Sequence, residues 1–171
     1  MVSSNFLPDY YTATILEWKP LLQPAKYKEL IINSFRFLVH EKRAKVYGFV
    51  IMSNHIHVIW QALGEHTPKE LQLSFMKYTA QMILKDMRNN HTAVLEKFLV
   101  NGQDRKYQVW ERRPLSVSLW NQKVFKQKLD YIHNNPVSAG LCTFPSDYEY
   151  SSASFYLKQD NRWEFLSHYL Q

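Results

Sequence analysis

The 171-residue chain contains one cysteine and only four glycines. A single thiol, Cys142, cannot form a disulfide within the chain, which is consistent with a reducing cytoplasm. None of the glycines belongs to a Walker or dinucleotide-binding loop, so we expect no nucleotide cofactor. The longest apolar runs are too short to span a bilayer, and residues 1–10 lack the basic and apolar regions of a signal peptide. These absences predict a cytoplasmic protein with no membrane partner.

Aromatic side chains and positive charge are abundant instead. The chain has 11 Tyr, 10 Phe and 5 Trp, a hydrophobic content of 46%, and a formal net charge of +6. Aromatic rings can build a core, and they also stack on unpaired bases, while a basic surface favours nucleic acid. The length fits one domain. We therefore predict a single domain over residues 1–171, with a core at about 8–141 and a tail, 142–171, that packs on this core.

Apolar spacing and turn residues predict the order of the elements. Strands are expected at 10–17, 45–52 and 55–62, with strand character on either side of a break within 107–119; helices are expected at 25–40, from Thr67 to about 88, and at 121–134, where Pro136 stops the helix. The tail reads as irregular. The order β-α-β-β-α-β followed by a helix predicts an α+β ferredoxin-like antiparallel sheet with an added C-terminal helix.

Two histidines stand one residue apart, His55 and His57, at the head of the third predicted strand. Side chains alternate along a strand, so both imidazoles lie on one face while Ile56 and Val58 lie on the other, against the helices. A His-x-His pair is also found as a solvated surface feature or bonded to neighbouring carbonyls. Two imidazoles on one rigid strand can share a divalent metal ion, which makes metal-assisted chemistry the first hypothesis.

The last predicted helix carries a second group of polar residues. Tyr131 and Asn135 are four residues apart and lie to one side of the apolar stripe, with Lys128 near the same edge. Taken alone, this pattern also fits a half-buried tyrosine and a helix ended by Asn and Pro. Combined with the histidines, it predicts that two imidazoles and an amide oxygen hold a metal ion while Tyr131 attacks a bound phosphate.

These two motifs resemble a known family. His55-Ile56-His57 resembles the HUH motif (His, hydrophobic, His) of single-strand DNA nucleases. The run from Leu129 to Leu141, which begins 72 residues after His57, resembles the nucleophile helix and following turn of IS200/IS605-like Y1 transposases, with the Tyr-Ile-x-x-Asn-Pro-Val pattern of their REP-associated tyrosine transposase branch. The segment Phe75–Ala80 also resembles the second core helix of the family, so the resemblance extends over most of the chain from Tyr10 to Ser152.

The resemblance implies an HUH nuclease fold and a metal-dependent single-stranded DNA endonuclease and strand transferase. Such a transposase acts through a 5′-phosphotyrosine intermediate on single-stranded DNA, here expected to bear a hairpin. Tyr131 then falls on the nucleophile, and His55, His57 and Asn135 fall on ligands of Mg²⁺ or Mn²⁺. Asn135 departs from several IS200/IS605 enzymes, which have a glutamine there. The absence of a second tyrosine at this position argues against the two-tyrosine replication initiators.

Several basic residues are candidates for contacting the DNA backbone. They are Arg105, Lys106, Arg112 and Arg113, which lie near the nucleophile helix in sequence, together with Lys128. Two other functions remain open: a non-cutting, domesticated nucleic-acid-binding protein on the same fold, and a small metal-dependent hydrolase in which Tyr131 is structural. A site built within one chain and a homodimer that exchanges the nucleophile helix are both compatible with the sequence.

Overall fold

The structure, a computed structural model, describes residues 6–171, so the first half of the segment searched for a signal peptide lies outside the described residues. Four strands and five helices occur in this range: β1 (Asp9–Thr14), α1 (Ala25–His40), β2 (Ala44–Ile51), β3 (His55–Ala62), α2 (Pro68–Asn90), α3 (Thr92–Glu96), β4 (Leu115–Ser118), α4 (Gln122–Ser138) and α5 (Ala153–Lys158). Within residues 6–171, no helix is long and apolar enough to cross a membrane.

The four strands form one antiparallel sheet in the order β2-β3-β1-β4. The first strand is central and pairs with both β3 and β4, as the β-α-β-β-α-β order requires. In its register with β3, Thr12 lies opposite His57 and Thr14 opposite His55. The predicted ferredoxin-like sheet with an added helix is therefore confirmed.

Each face of the sheet has its own apolar core. Ile56, Val58 and Trp60 are buried on the face covered by α1 and α2, where the Trp60 ring meets Phe75 edge-on at 5.4 Å. On the opposite face Ile59 packs with Leu129 of α4. Alternation along β3 therefore directs His55 and His57 towards α4. This helix partly covers the face of the sheet that α1 and α2 leave open.

Three segments differ from the sequence prediction. The first strand ends at Thr14, because residues 16–18 turn into a 3-10 helix with left-handed backbone at Glu17 and Trp18. Within 107–119 only Leu115–Ser118 is a strand, while Trp110 makes a single bridge to Ile15. The tail is more regular than expected, since it contains a 3-10 turn and α5.

The tail also covers one edge of the sheet. Ser151 bridges to Val50 and Leu166 bridges to Val46, both on the outer edge of β2. Trp163 and Phe165 join the core beneath the same strand. Because these contacts complete the pairing of β2, the strand is protected along much of its length.

The prediction that Pro136 stops the last helix is wrong. The ring leaves the carbonyl of Ile132 without a helical donor, but α4 continues to Ser138. Gly140 lies two residues after the end of the helix, and its φ of 73° is in the left-handed region. There the N–H of Gly140 donates to the Val137 carbonyl at 2.9 Å, and the N–H of Leu141 donates to the Pro136 carbonyl at 2.9 Å. This is a Schellman motif, so glycine rather than proline terminates the helix.

A glycine in β2 allows α4 to sit close to the sheet. The strand register shifts between Val46 and Gly48, and a Cβ added at Gly48 would lie 2.5 Å from Leu129 Cδ1 and 3.2 Å from Ser152 Oγ. Real Cβ atoms do not approach other heavy atoms so closely. Any side chain at position 48 therefore forces the Leu129 side chain to move from its place between α4 and the sheet.

We predict that Gly48→Ala lowers the free energy of unfolding by about 1–3 kcal/mol, the usual cost of overpacking a core. Urea denaturation followed by tryptophan fluorescence measures the change. The Leu129→Ala variant removes the atom in conflict, so adding Gly48→Ala to it should cost much less than in the wild type. Equal costs in the two backgrounds would contradict the close approach described here.

Candidate active site

The two histidines of β3 form the centre of the candidate site. The rings of His55 and His57 lie edge to face with their centroids 4.8 Å apart. His57 is buried, and His55 is partly exposed. The structure therefore brings both imidazoles together on the face of the sheet that α4 partly covers, as alternation along the strand predicts.

Polar groups from two other elements surround the His57 ring. Its Nδ1 lies 2.7 Å from Thr12 Oγ1 and 3.0 Å from the Tyr10 hydroxyl, both on β1. Its Nε2 lies 3.4 Å from Asn135 Nδ2 on α4. With the Asn135 amide in this orientation, its NH₂ donates to the lone pair of Nε2, and the ring proton lies on Nδ1, facing Thr12.

His55 is oriented in the same way. Its Nδ1 lies 2.7 Å from Asn54 Oδ1, an acceptor, so this nitrogen carries the proton and Nε2 carries the lone pair. The Asn54 Nδ2 in turn donates to the carbonyl of Trp18 at 3.4 Å. Both imidazoles are thus held through Nδ1, which is the usual arrangement of histidines that bind a metal through Nε2.

Burial keeps the two rings neutral. Desolvation lowers the pKa of His55, although a hydrogen bond with Asn135 opposes the shift. Desolvation also lowers the pKa of His57 to about 3, and the nearby His55 and Lys128 contribute to the shift. A neutral imidazole is the form that binds metal ions, so both histidines are in the binding form at neutral pH.

Tyr131 reaches the same place from α4. Its ring centroid is 5.7 Å from that of His57 and 6.5 Å from that of Tyr10, in edge-on contacts. The side chain is 54% exposed, so its hydroxyl is accessible to a large substrate. Lys128, one turn earlier, places its Nζ 4.7 Å from the centroid of the Tyr10 ring. All of these contacts form within one chain.

The side chains present include imidazole and amide groups, which are types of donor that bind divalent metal ions. Within residues 6–171, no three His, Cys, Asp or Glu side chains form a cluster that could hold a metal. The donors available are the Nε2 atoms of His55 and His57 and the amide of Asn135, whose oxygen and nitrogen exchange places by rotation about one bond. This set is neutral and leaves positions for water and for phosphate oxygens.

The other basic candidates separate into two groups. Arg105 and Arg112 both pair with Asp104 at 2.8 Å, and Arg105 lines a groove along α2, on the face of the sheet opposite to α4. Lys106 lies over the ring of Tyr107, which lines the same groove. Arg113 instead lines a hollow with Thr14, next to the histidines. The structure thus places Lys128 and Arg113 beside the candidate site and Arg105 and Lys106 at the groove along α2, while Arg112 lines both the groove and the hollow.

Sequence reasoning missed the residues that orient the histidines. Tyr10 and Thr12 alternate along β1 with the period of two that the strand requires, so they share one face. Their position beneath His57 depends on the register between β1 and β3, which local sequence does not encode. Asn54 is typical of a turn between two strands, and this local pattern does not signal that it also holds the His55 ring.

A buried contact fixes α4 from its inner side. His133 is buried, and its Nε2 lies 2.7 Å from Ser152 Oγ, which also accepts the N–H of Phe49 in β2 at 2.9 Å. Burial lowers the pKa of His133 to about 4. Because His133 is two residues after Tyr131, it points away from the site and joins the helix to the sheet and to the tail.

Comparisons with known proteins identify the fold. No protein-family model matches the chain, and no curated protein matches it. Among solved structures, a REP-associated tyrosine transposase bound to a REP hairpin matches with a TM-score of 0.64 and 16% identity, over 98% of this chain and 86% of that chain. This likeness establishes the fold.

A protein provisionally named a transposase from Deinococcus radiodurans R1 matches less well. Its TM-score is 0.46 at 10% identity, over 74% of this chain and 88% of that chain. A score below 0.5 does not establish a shared fold, so the assignment depends on the first structure.

We predict that the buried neutral His133 makes stability depend on pH. Above pH 6.5 the ring is neutral in both folded and unfolded chains, and it contributes no pH dependence. Between pH 6.5 and about 4 only the unfolded chain takes up the proton, so the free energy of unfolding falls by about 1.4 kcal/mol per pH unit from this group. Urea denaturation at a series of pH values measures the slope, and His133→Gln should reduce it by that amount. An unchanged slope in the variant would contradict the assignment.

Proposed function

We propose that the protein is a transposase that cleaves and rejoins single-stranded DNA, with Tyr131 as its nucleophile. The observation that carries the proposal is the 5.7 Å contact between the rings of Tyr131 and His57 within one chain. A tyrosine that is mostly exposed, beside two neutral imidazoles and an amide, has no evident role in packing. The same arrangement suits attack on a phosphodiester.

We further propose that His55, His57 and Asn135 hold Mg²⁺ or Mn²⁺. The Nε2 atoms of both rings would bind it together with the oxygen of the Asn135 amide after that group rotates. When bound, the ion would offset the negative charge that develops on the phosphate oxygens. Neutral ligands suit this role, because they leave the full positive charge of the ion available to the phosphate.

The chain's own residues account for the remaining chemistry. The Tyr131 oxygen attacks the scissile phosphorus and loses its proton to solvent; the bond from phosphorus to the 3′-oxygen breaks, and that oxygen takes up a proton to become a free 3′-OH. A 5′-phosphotyrosine ester links the DNA to the protein. The ester keeps the energy of the phosphodiester, so attack by a 3′-OH rejoins the strand without ATP. The positive charge of Lys128, whose Nζ lies 4.7 Å from the centroid of the Tyr10 ring, favours binding of the phosphate.

The proposed substrate is single-stranded DNA that bears a hairpin. The solved structure that shares this fold is a REP-associated tyrosine transposase bound to a REP hairpin. The net charge of +6 on the chain favours a polyanion, and the open position of Tyr131 admits an unpaired strand. A small phosphate ester would not require so exposed a nucleophile.

A covalent-trapping assay tests this function. The protein is incubated with Mn²⁺ and a partly randomised pool of single-stranded DNA that carries a hairpin, and adducts are separated on a denaturing gel. We expect an adduct that forms only with the metal and does not form when EDTA is present from the start. Mass spectrometry should locate the adduct at Tyr131. Tyr131→Phe should abolish the adduct, because the variant lacks the attacking oxygen.

Tyr78→Phe is the matched control, since Tyr78 is also a helical tyrosine with 52% of its side chain exposed. This variant should form the adduct as the wild type does. Binding of the pool without any adduct would contradict cleavage and favour the non-cutting binder. Hydrolysis of small phosphate esters that persists in Tyr131→Phe would instead favour the metal-dependent hydrolase.

A further inference from the structure

A strained turn presents a tryptophan beside the site. The Trp18 side chain is 61% exposed, and its ring meets His55 edge-on with the centroids 5.9 Å apart. Glu17 and Trp18 have φ of 53° and 57°, in the left-handed region. Bulky residues rarely adopt this conformation, which persists only where surrounding contacts maintain it and is found most often at functional sites.

Three hydrogen bonds hold the turn in place. The N–H of Glu17 donates to Glu111 Oε1 at 2.7 Å, from a segment far along the chain. The N–H of Trp18 donates to the Ile15 carbonyl at 2.9 Å, and its own carbonyl accepts from Asn54 Nδ2 at 3.4 Å. Asn54 also holds the ring of His55. The turn is therefore tied to the candidate site, although most of the indole faces solvent and contributes little to the core.

Trp18 forms one wall of an open hollow of about 470 Å³, whose other lining residues are Thr14, Gln108, Glu111, Arg112 and Arg113. Thr14 lies opposite His55 in the strand register, so the hollow adjoins the histidines. Arg112 is paired with Asp104. Arg113 has no acidic partner within residues 6–171, so its charge is available to an anion. An aromatic face and an unpaired guanidinium thus occupy the same hollow.

We propose that Trp18 and Arg113 form a subsite for one unpaired nucleotide of single-stranded DNA. Trp18 stacks on the base, and Arg113 binds an adjoining phosphate. Successive ring contacts of 5.7, 4.8 and 5.9 Å lead from Tyr131 through His57 and His55 to Trp18. The subsite rests on the proposed function and defines the direction in which the strand leaves Tyr131. Because every base has a face that can stack, it holds an unpaired strand without selecting its sequence.

Binding of oligo-dT tests the subsite. Fluorescence anisotropy of labelled oligo-dT is measured in EDTA on the Tyr131→Phe background, where neither metal nor cleavage contributes. We expect Trp18→Ala to weaken binding about 5- to 150-fold, the range for loss of one base-stacking contact, and Trp18→Phe to retain most of the affinity. Circular dichroism verifies that each variant is folded.

Trp120→Ala is the matched control. Trp120 is 73% exposed, but it follows Ser118, which pairs with Asp9 at the end of the sheet remote from Thr14 and His55. This substitution should leave binding unchanged. Wild-type affinity in Trp18→Ala, or an equal loss in Trp120→Ala, would overturn the proposal.

The dependence on salt tests Arg113. Its replacement by alanine should reduce the slope of log K against log salt by about 0.7, the value for one phosphate contact on a single strand. Lys85→Ala, on the exposed side of α2, should leave the slope as it is. An unchanged slope in Arg113→Ala would overturn the phosphate contact.

Photo-crosslinking gives an independent readout. Irradiation of the complex with an oligonucleotide that contains 5-iodouracil should yield a crosslinked peptide that contains Trp18, and crosslinks confined to other peptides would overturn the subsite. Its failure is distinguishable from failure of the proposed function. If Trp18→Ala loses binding but the wild type forms no adduct at Tyr131, the subsite is supported and the proposed cleavage is contradicted. If an adduct forms at Tyr131 but Trp18→Ala binds as the wild type does, the proposed cleavage is supported and the subsite is contradicted.

Discussion

The close packing of α4 against β2 is the contact on which the candidate site depends. Gly48 leaves room for Leu129, and the buried contact between His133 and Ser152 holds the same helix from its inner side. The position of α4 on the sheet holds Tyr131 and Asn135 against His57 of β3. An outward shift of α4 by about 1 Å would misalign the two halves of the site, because a misplacement of that size can slow a reaction by about 100-fold.

A second constraint is that both histidine rings remain neutral and are each held in one orientation. The Nδ1 atoms of His55 and His57 lie against Asn54 Oδ1 and Thr12 Oγ1, and the Nε2 of His57 faces the amide of Asn135. Burial lowers both pKa values and prevents protonation near neutral pH. The surroundings thus hold both rings in their neutral form, and the proposed metal ligands include no carboxylate that would reduce the charge that a phosphate meets.

Local sequence patterns predicted much of the fold. The alternation of His55 and His57 with Ile56 and Val58 fixed the two faces of β3, and the capping box of Thr67 and Glu70 marked the start of α2, which the structure confirms. What local patterns did not contain is long-range register. The position of Thr12 beneath His57 follows from how β1 pairs with β3, and no residue near position 12 signals it.

The other differences have local causes that are hard to weigh without a structure. Pro136 removes one helical hydrogen bond, but the two hydrogen bonds of the Schellman motif at Gly140 stabilise the last turn. The helix therefore continues beyond the proline. The left-handed turn at Glu17 and Trp18 depends on Glu111, which lies 94 residues after Glu17 in sequence. A residue held against its backbone preference by so distant a partner is not predictable from its neighbours.

The candidate site takes both Tyr131 and the two histidines from one chain. Complementation between two inactive variants tests this arrangement most directly: His57→Ala and Tyr131→Phe are mixed in equal amounts, and adduct formation with hairpin-bearing single-stranded DNA is compared with that of the wild type and of each variant alone. A site built within one chain predicts that the mixture stays inactive at every protein concentration. Activity that appears on mixing would mean that Tyr131 of one chain serves the histidines of another, and it would contradict the arrangement described here.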